Sequence, residues 1–110
     1  MLIFLAIYID FYKIFFTFVL MTNNAYLIND ARVWIKRMNR PDEVLRIILD
    51  LHSTDAALCY LLYTAYEKAP EYFGRILFDL QGYWIYDGDI LTIAEQEQVA
   101  KFIMNYVEAV

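Results

Sequence analysis

DAALCYLLYTAYEK, residues 55–68, is the stretch on which the reading of the fold turns. Wound as a helix, it places Ala56, Ala57, Leu58, Cys59, Leu61, Leu62 and Ala65 on nearly every side, and a helix of that kind is usually the central one of a bundle. Ser53 or Thr54 supplies an N-cap, after a break at His52-Ser53-Thr54-Asp55. Ala69-Pro70 ends the helix, because the residue before proline resists helical geometry. Tyr60, Tyr63 and Tyr66 then run along one edge of it.

The flanking segments fit the same scheme. From about residue 25 to 38, Leu27, Ala31, Trp34, Ile35 and Met38 recur at helical spacing, with Arg32, Lys36 and Arg40 on another face. Pro41 starts a further helix to about residue 51, with Asp42 and Glu43 complementing its dipole. Its apolar face is Val44, Ile48 and Leu51, widened by Leu45, Ile47 and Leu49. Residues 71–80 turn Phe73, Ile76, Leu77 and Leu80 inward and stop at Gly82.

Residues 83–91 are harder to assign. Aromatic and β-branched residues around Asp87-Gly88 can form a hairpin. Thr92 and Glu95, however, make a capping box that opens the last helix and leaves only Ile90 and Leu91 for a second strand. An irregular aromatic loop with room for a short extended stretch is therefore expected, followed by a helix over about 93–108 that buries Val99, Phe102, Ile103, Tyr106 and Val107. The expected fold class is all-α, a compact bundle of five to six short helices. Three Gly and two Pro in the chain point the same way, since a turn-rich β fold normally uses more.

Residues 1–20, MLIFLAIYIDFYKIFFTFVL, form a separate question. Their thirteen strongly apolar side chains favour membrane insertion by about −4 to −8 kcal/mol. Asp10 and Lys13 near the middle oppose it by about +2.5 to +3.5 kcal/mol each, so the balance is near zero. A signal peptide is disfavoured by the lack of a leading Lys or Arg and of a small-residue cleavage site. Three readings stay open. Asp10, Lys13 and Thr17 make one thin polar stripe, which suits a core or interface helix; the segment is a single membrane span; or it is a non-native extension ahead of a protein that starts at Met21. The domain division that follows is 1–20 and a single domain over 21–110.

Composition narrows the function. A chain that is 61% hydrophobic is far from disorder. Its single cysteine, Cys59, excludes an internal disulfide and fits a reducing compartment. The expected location is cytoplasmic, or the inner membrane with the C-terminus in the cytoplasm if the first segment spans it. Net charge is −5, an argument against general nucleic-acid binding. Residues 32–46 nevertheless carry a balance of +3 and residues 87–108 one of −4. Such poles suit oriented docking or head-to-tail self-association, or are simply two solvated helix faces that differ. The Arg32, Lys36, Arg37 and Arg40 cluster also fits an intramolecular match to the acidic last helix.

Reaction chemistry is poorly supplied. Cys59 falls in the most apolar segment, where a small buried thiol is the ordinary reading, and His52 suits a helix C-terminus. Asp87-Gly88-Asp89 fails the calcium-loop pattern, which needs glycine at position 6 and glutamate at position 12. Zinc ligands and a glycine-rich phosphate loop are both missing. No catalytic residue, cofactor or metal is therefore expected. The ten tyrosines are the better clue, because each hydroxyl needs a partner or water. Tyr83, Trp84 and Tyr86 beside Asp87 and Asp89 are the residue types of interface hot spots.

The expected function is a non-enzymatic protein-binding module, an inhibitor or adaptor of the kind carried by phage or other mobile DNA and aimed at a larger host complex. The partner is a protein held through Tyr83, Trp84, Tyr86, Asp87 and Asp89, and a homodimer through the apolar first segment is open. The alternatives are a small membrane-anchored protein and a nucleic-acid contact through the basic face at 32–40.

Overall fold

The computed structural model describes residues 26–106. The expectations placed on residues 1–20, and on the end of the last helix beyond 106, lie outside the described residues.

The all-α expectation and the helical bundle are overturned. The chain forms β1 (Ala31–Ile35), β2 (Glu43–Leu49), β3 (Leu58–Thr64), β4 (Tyr72–Phe78) and β5 (Trp84–Asp87), followed by α1 (Ile93–Met104). The strands lie in chain order in one sheet, each antiparallel to the next. The four segments expected as helices around residues 25–38, 41–51, 55–68 and 71–80 thus contain β1 to β4. The extended stretch expected within 83–91 is β5, but it pairs with β4, so no hairpin closes on Asp87-Gly88.

The physical reason lies in the length and two-sidedness of the apolar runs. A run that is apolar on every side has no period that separates a helix from a strand buried on both faces. β3, Leu-Cys-Tyr-Leu-Leu-Tyr-Thr, is such a run: Leu58, Tyr60, Leu62 and Thr64 face one way, and Cys59, Leu61 and Tyr63 the other. Tyr60 and Tyr63 therefore lie on opposite faces, not along one edge. The scarcity of glycine misleads for a second reason. The turns here are made by short polar side chains that bond their own backbone. Asp50 Oδ1 accepts from His52 N–H, Ser53 Oγ from Asp55 N–H, and Asp79 Oδ1 from the N–H groups of Gln81 and Tyr83. Asn39 takes the left-handed conformation (φ 64°) in the β1–β2 turn, where Asp42 Oδ1 accepts from Arg37 N–H.

One face of the sheet carries the core. Val33 and Ile35 of β1, Leu45 and Ile47 of β2, Leu58, Tyr60 and Leu62 of β3, and Ile76 and Phe78 of β4 bury themselves under Val99, Ala100 and Ile103 of α1. Tyr60 donates to the carbonyl of Leu27 at 2.7 Å, and its ring meets that of Phe78 edge-on. Opposite β3, the pairing passes from Leu62↔Gly74 to Tyr63↔Tyr72, so Phe73 is the extra residue of a bulge and turns into the core. α1 begins as the sequence indicates. Thr92 Oγ1 accepts from Glu95 N–H and Glu95 Oε1 from Thr92 N–H, which is the reciprocal capping box.

Candidate docking surface

The other face of the sheet is the candidate site. Strand register aligns Trp34 with Val44; Arg32 with Arg46, Tyr63 and Tyr72; Ile48 with Leu61, Arg75 and Asp87; and Cys59 with Leu77 and Ile85. A sheet face turned to water normally carries polar residues at alternate positions. Here most positions are apolar or aromatic, and none belongs to the cluster that packs under α1. The face is buried at its centre, where Cys59 and Leu77 lie, and open toward its two edges, where Trp34, Tyr72 and Ile85 are exposed.

The two ends of the face differ. Toward β1, Trp34 is 69% and Tyr66 75% exposed. Arg32 lies over the Tyr66 ring, 5.1 Å from its centroid, and the Tyr63 and Tyr72 rings meet at 5.4 Å. The Trp34 indole N–H donates to Asp42 Oδ2 at 3.0 Å. This bond and the one from Arg37 N–H hold the Asp42 carboxyl below its ordinary range, with the Arg37 bond the larger cause. Toward β5, Arg75 is clamped between Asp87 (2.8 Å) and Asp55 (2.9 Å). It is thereby laid over Cys59, whose buried thiol has its pKa pushed up by burial, against the opposing pull of Ser53 and Arg75.

The residues singled out from the sequence are divided by this arrangement. Trp84 and Tyr86 pack against the core. Ile85 and Asp87, on the alternate positions of β5, face outward, Ile85 at 64% exposure. Tyr83 and Asp89 are exposed beyond the two ends of the strand. Tyr86 is a latch: its hydroxyl donates to the carbonyl of Phe73 and accepts from Ile90 and Leu91 N–H.

The basic cluster is divided as well. Arg32 and Lys36 share the outer face with Trp34 at every second position of the chain. Arg37 turns inward to Glu95 (3.2 Å), both side chains over nine-tenths buried, and Arg40 reaches the same carboxylate at 3.9 Å. Burial would raise the Glu95 pKa, but the Thr92 N–H and the two guanidinium groups outweigh it and hold the carboxyl below its ordinary value. The intramolecular match between the basic cluster and the acidic last helix is thus made by Arg37 and Arg40, and it is structural.

Sequence reasoning missed Trp34, Tyr63, Tyr72 and Arg46 as one surface. The available signal was period two in Arg32-Val33-Trp34-Ile35 and in Leu45-Arg46-Ile47.

Among the described residues no three His, Cys, Asp or Glu side chains gather as metal ligands, and no helix is long and apolar enough to cross a membrane. No protein-family model matches the sequence, and no curated protein or solved structure matches it either.

Proposed function

We propose that this chain is a non-enzymatic protein-binding module, of the inhibitor or adaptor kind, that docks through the outer face of its sheet. The observation that carries this reading is Trp34, exposed beside Val44 on a sheet face whose next row is Arg32, Arg46, Tyr63 and Tyr72, with Tyr66 against Arg32. Aromatic and arginine side chains dominate the binding energy of protein interfaces. The partner's chemistry follows from charge. Arg46 is already paired with Asp30, and Arg75 with Asp55 and Asp87. Arg32 and Lys36 make no ion pair among the described residues; Arg32 lies over the Tyr66 ring and Lys36 acts on Asp42 at longer range, so the β1 end presents two cations beside an indole with no carboxylate bonded to either. A protein surface offering carboxylates around an apolar side chain complements it. Nucleic acid is disfavoured by the paired arginines and by the net charge of −5.

The test is capture of a protein by the immobilised full chain, followed by affinity measurement with that protein purified. Trp34→Ala should keep its circular dichroism spectrum and weaken the complex roughly 30-fold, the size of a hot-spot loss. Tyr83→Ala and Asp89→Ala should change it little. Equal affinity of the Trp34→Ala variant and the parent would remove the outer face as the docking site.

A further inference from the structure

The edge of β1 next to that face shows how a partner would be held. β1 is the first strand of the sheet in the described residues, and among these no strand lies on its other side. At the end of this side a side chain of α1 occupies the place of a strand. Gln98 Oε1 accepts from Lys36 N–H at 2.8 Å, and Gln98 Nε2 donates to Lys36 C=O at 2.8 Å. That two-bond exchange of one amide with one residue is what a residue of a neighbouring antiparallel strand makes. Backbone direction alternates along a strand, so Arg32 and Trp34 turn their N–H and C=O groups toward the same side, where the described residues place no strand.

We infer that this edge accepts an extended acidic segment of the partner as a sixth strand beside β1, pairing with the backbone of Arg32 and Trp34. The inference rests on the docking reading above and names the partner's shape and charge. Successive residues of an added strand alternate between faces, so every second side chain joins the outer-face row. A carboxylate opposite Arg32, an apolar side chain opposite Trp34 and a second carboxylate near Lys36 fill that row. Main-chain bonds then supply affinity, and the alternate side chains supply selection. The β5 edge lacks this chemistry: its outward residues, Ile85 and Asp87, put an acidic group next to Arg75, which that group already neutralises.

The probe is a synthetic peptide with the core Glu-Thr-Leu-Thr-Glu, added to the full-length protein in a Trp84→Phe background so that Trp34 reports. Three comparisons accompany it: the same peptide N-methylated at alternate backbone positions, a Lys-Thr-Leu-Thr-Lys peptide, and an oligothymidylate. The acidic peptide should shift Trp34 fluorescence and slow hydrogen exchange at the amides of Arg32 and Trp34. N-methylation on the pairing side and charge inversion should each weaken binding about tenfold or more. Three outcomes would overturn the inference: no binding of the acidic peptide, binding indifferent to N-methylation, or preference for the oligothymidylate. A purified partner that still depends on Trp34 while the peptide fails would leave the outer face as the docking site and remove strand pairing.

Discussion

Tyr86 shows how one side chain serves the fold at a place where the sequence suggests a binding site. Its ring lies between two glycines. A Cβ on Gly74 would stand 2.8 Å from the ring and 2.7 Å from the carbonyl oxygen of Asp87, and one on Gly88 would stand 2.4 Å from the hydroxyl. Gly74 also has φ +98°, a conformation that side chains resist. Tyr86→Phe should therefore cost about 1–3 kcal/mol of unfolding free energy in urea titration, from the orphaned Phe73 carbonyl and Ile90 and Leu91 amides. Gly74→Ala should cost at least as much, because a backbone oxygen cannot move aside as a side chain can. The aromatic content of 83–86 was plain in the sequence, but which rings face the core depends on strand register, and register is set by β4. Glu95 makes a pH prediction. Its folded pKa lies below the ordinary 4.5, so its contribution is present above that value and fades as pH falls through the folded pKa. Unfolding titrations from pH 7 to 3 should show Glu95→Gln less stable at pH 7, with a shallower acid decline than the parent.

Among the elements, α1 was legible and the strands were not. The capping box is a local pattern of four residues, and its chemistry is the same wherever the helix packs. Thr92→Ala should lower stability by about 0.5–2 kcal/mol, measured by thermal or urea unfolding. Strands β2, β3 and β4 are seven residues each, flanked by turns in which Asp, Ser and, between β3 and β4, Thr64 accept from the backbone. Read together with their turns they reach helical length, and their apolar residues then fall on helical faces by coincidence of composition. β3 is the extreme case: six of its seven residues are apolar or aromatic, so the face that packs under α1 and the face that does not look alike. β3 is apolar on both faces, and on the outer one Cys59 is fully buried while Leu61 and Tyr63 keep partial exposure.

For the whole molecule, the consequence is a two-layer arrangement with an apolar third side. α1 covers one face of the sheet; on the other, Cys59 and Leu77 are buried, Arg75 lies between its two aspartates, and Trp34, Tyr72 and Ile85 are exposed. The charge poles of the sequence are resolved in the same way. Arg37 and Arg40 tie the end of β1 to α1 through Glu95, while Arg32 and Lys36 make no ion pair among the described residues. The overall acidity and the single buried cysteine were readable without the fold. The site was not, because it consists of residues from different strands brought level only by pairing. Tryptophan placement tests this arrangement most directly, since the sheet exposes Trp34 and packs Trp84 against the core, whereas a helical bundle with an aromatic loop would turn Trp34 inward and expose Trp84. Acrylamide quenching of the two single-tryptophan proteins, Trp84→Phe and Trp34→Phe, separates the cases. Strong quenching of Trp34 and weak quenching of Trp84 is the expected result. A shielded Trp34 beside a freely quenched Trp84 would contradict both the sheet and the docking surface built on it.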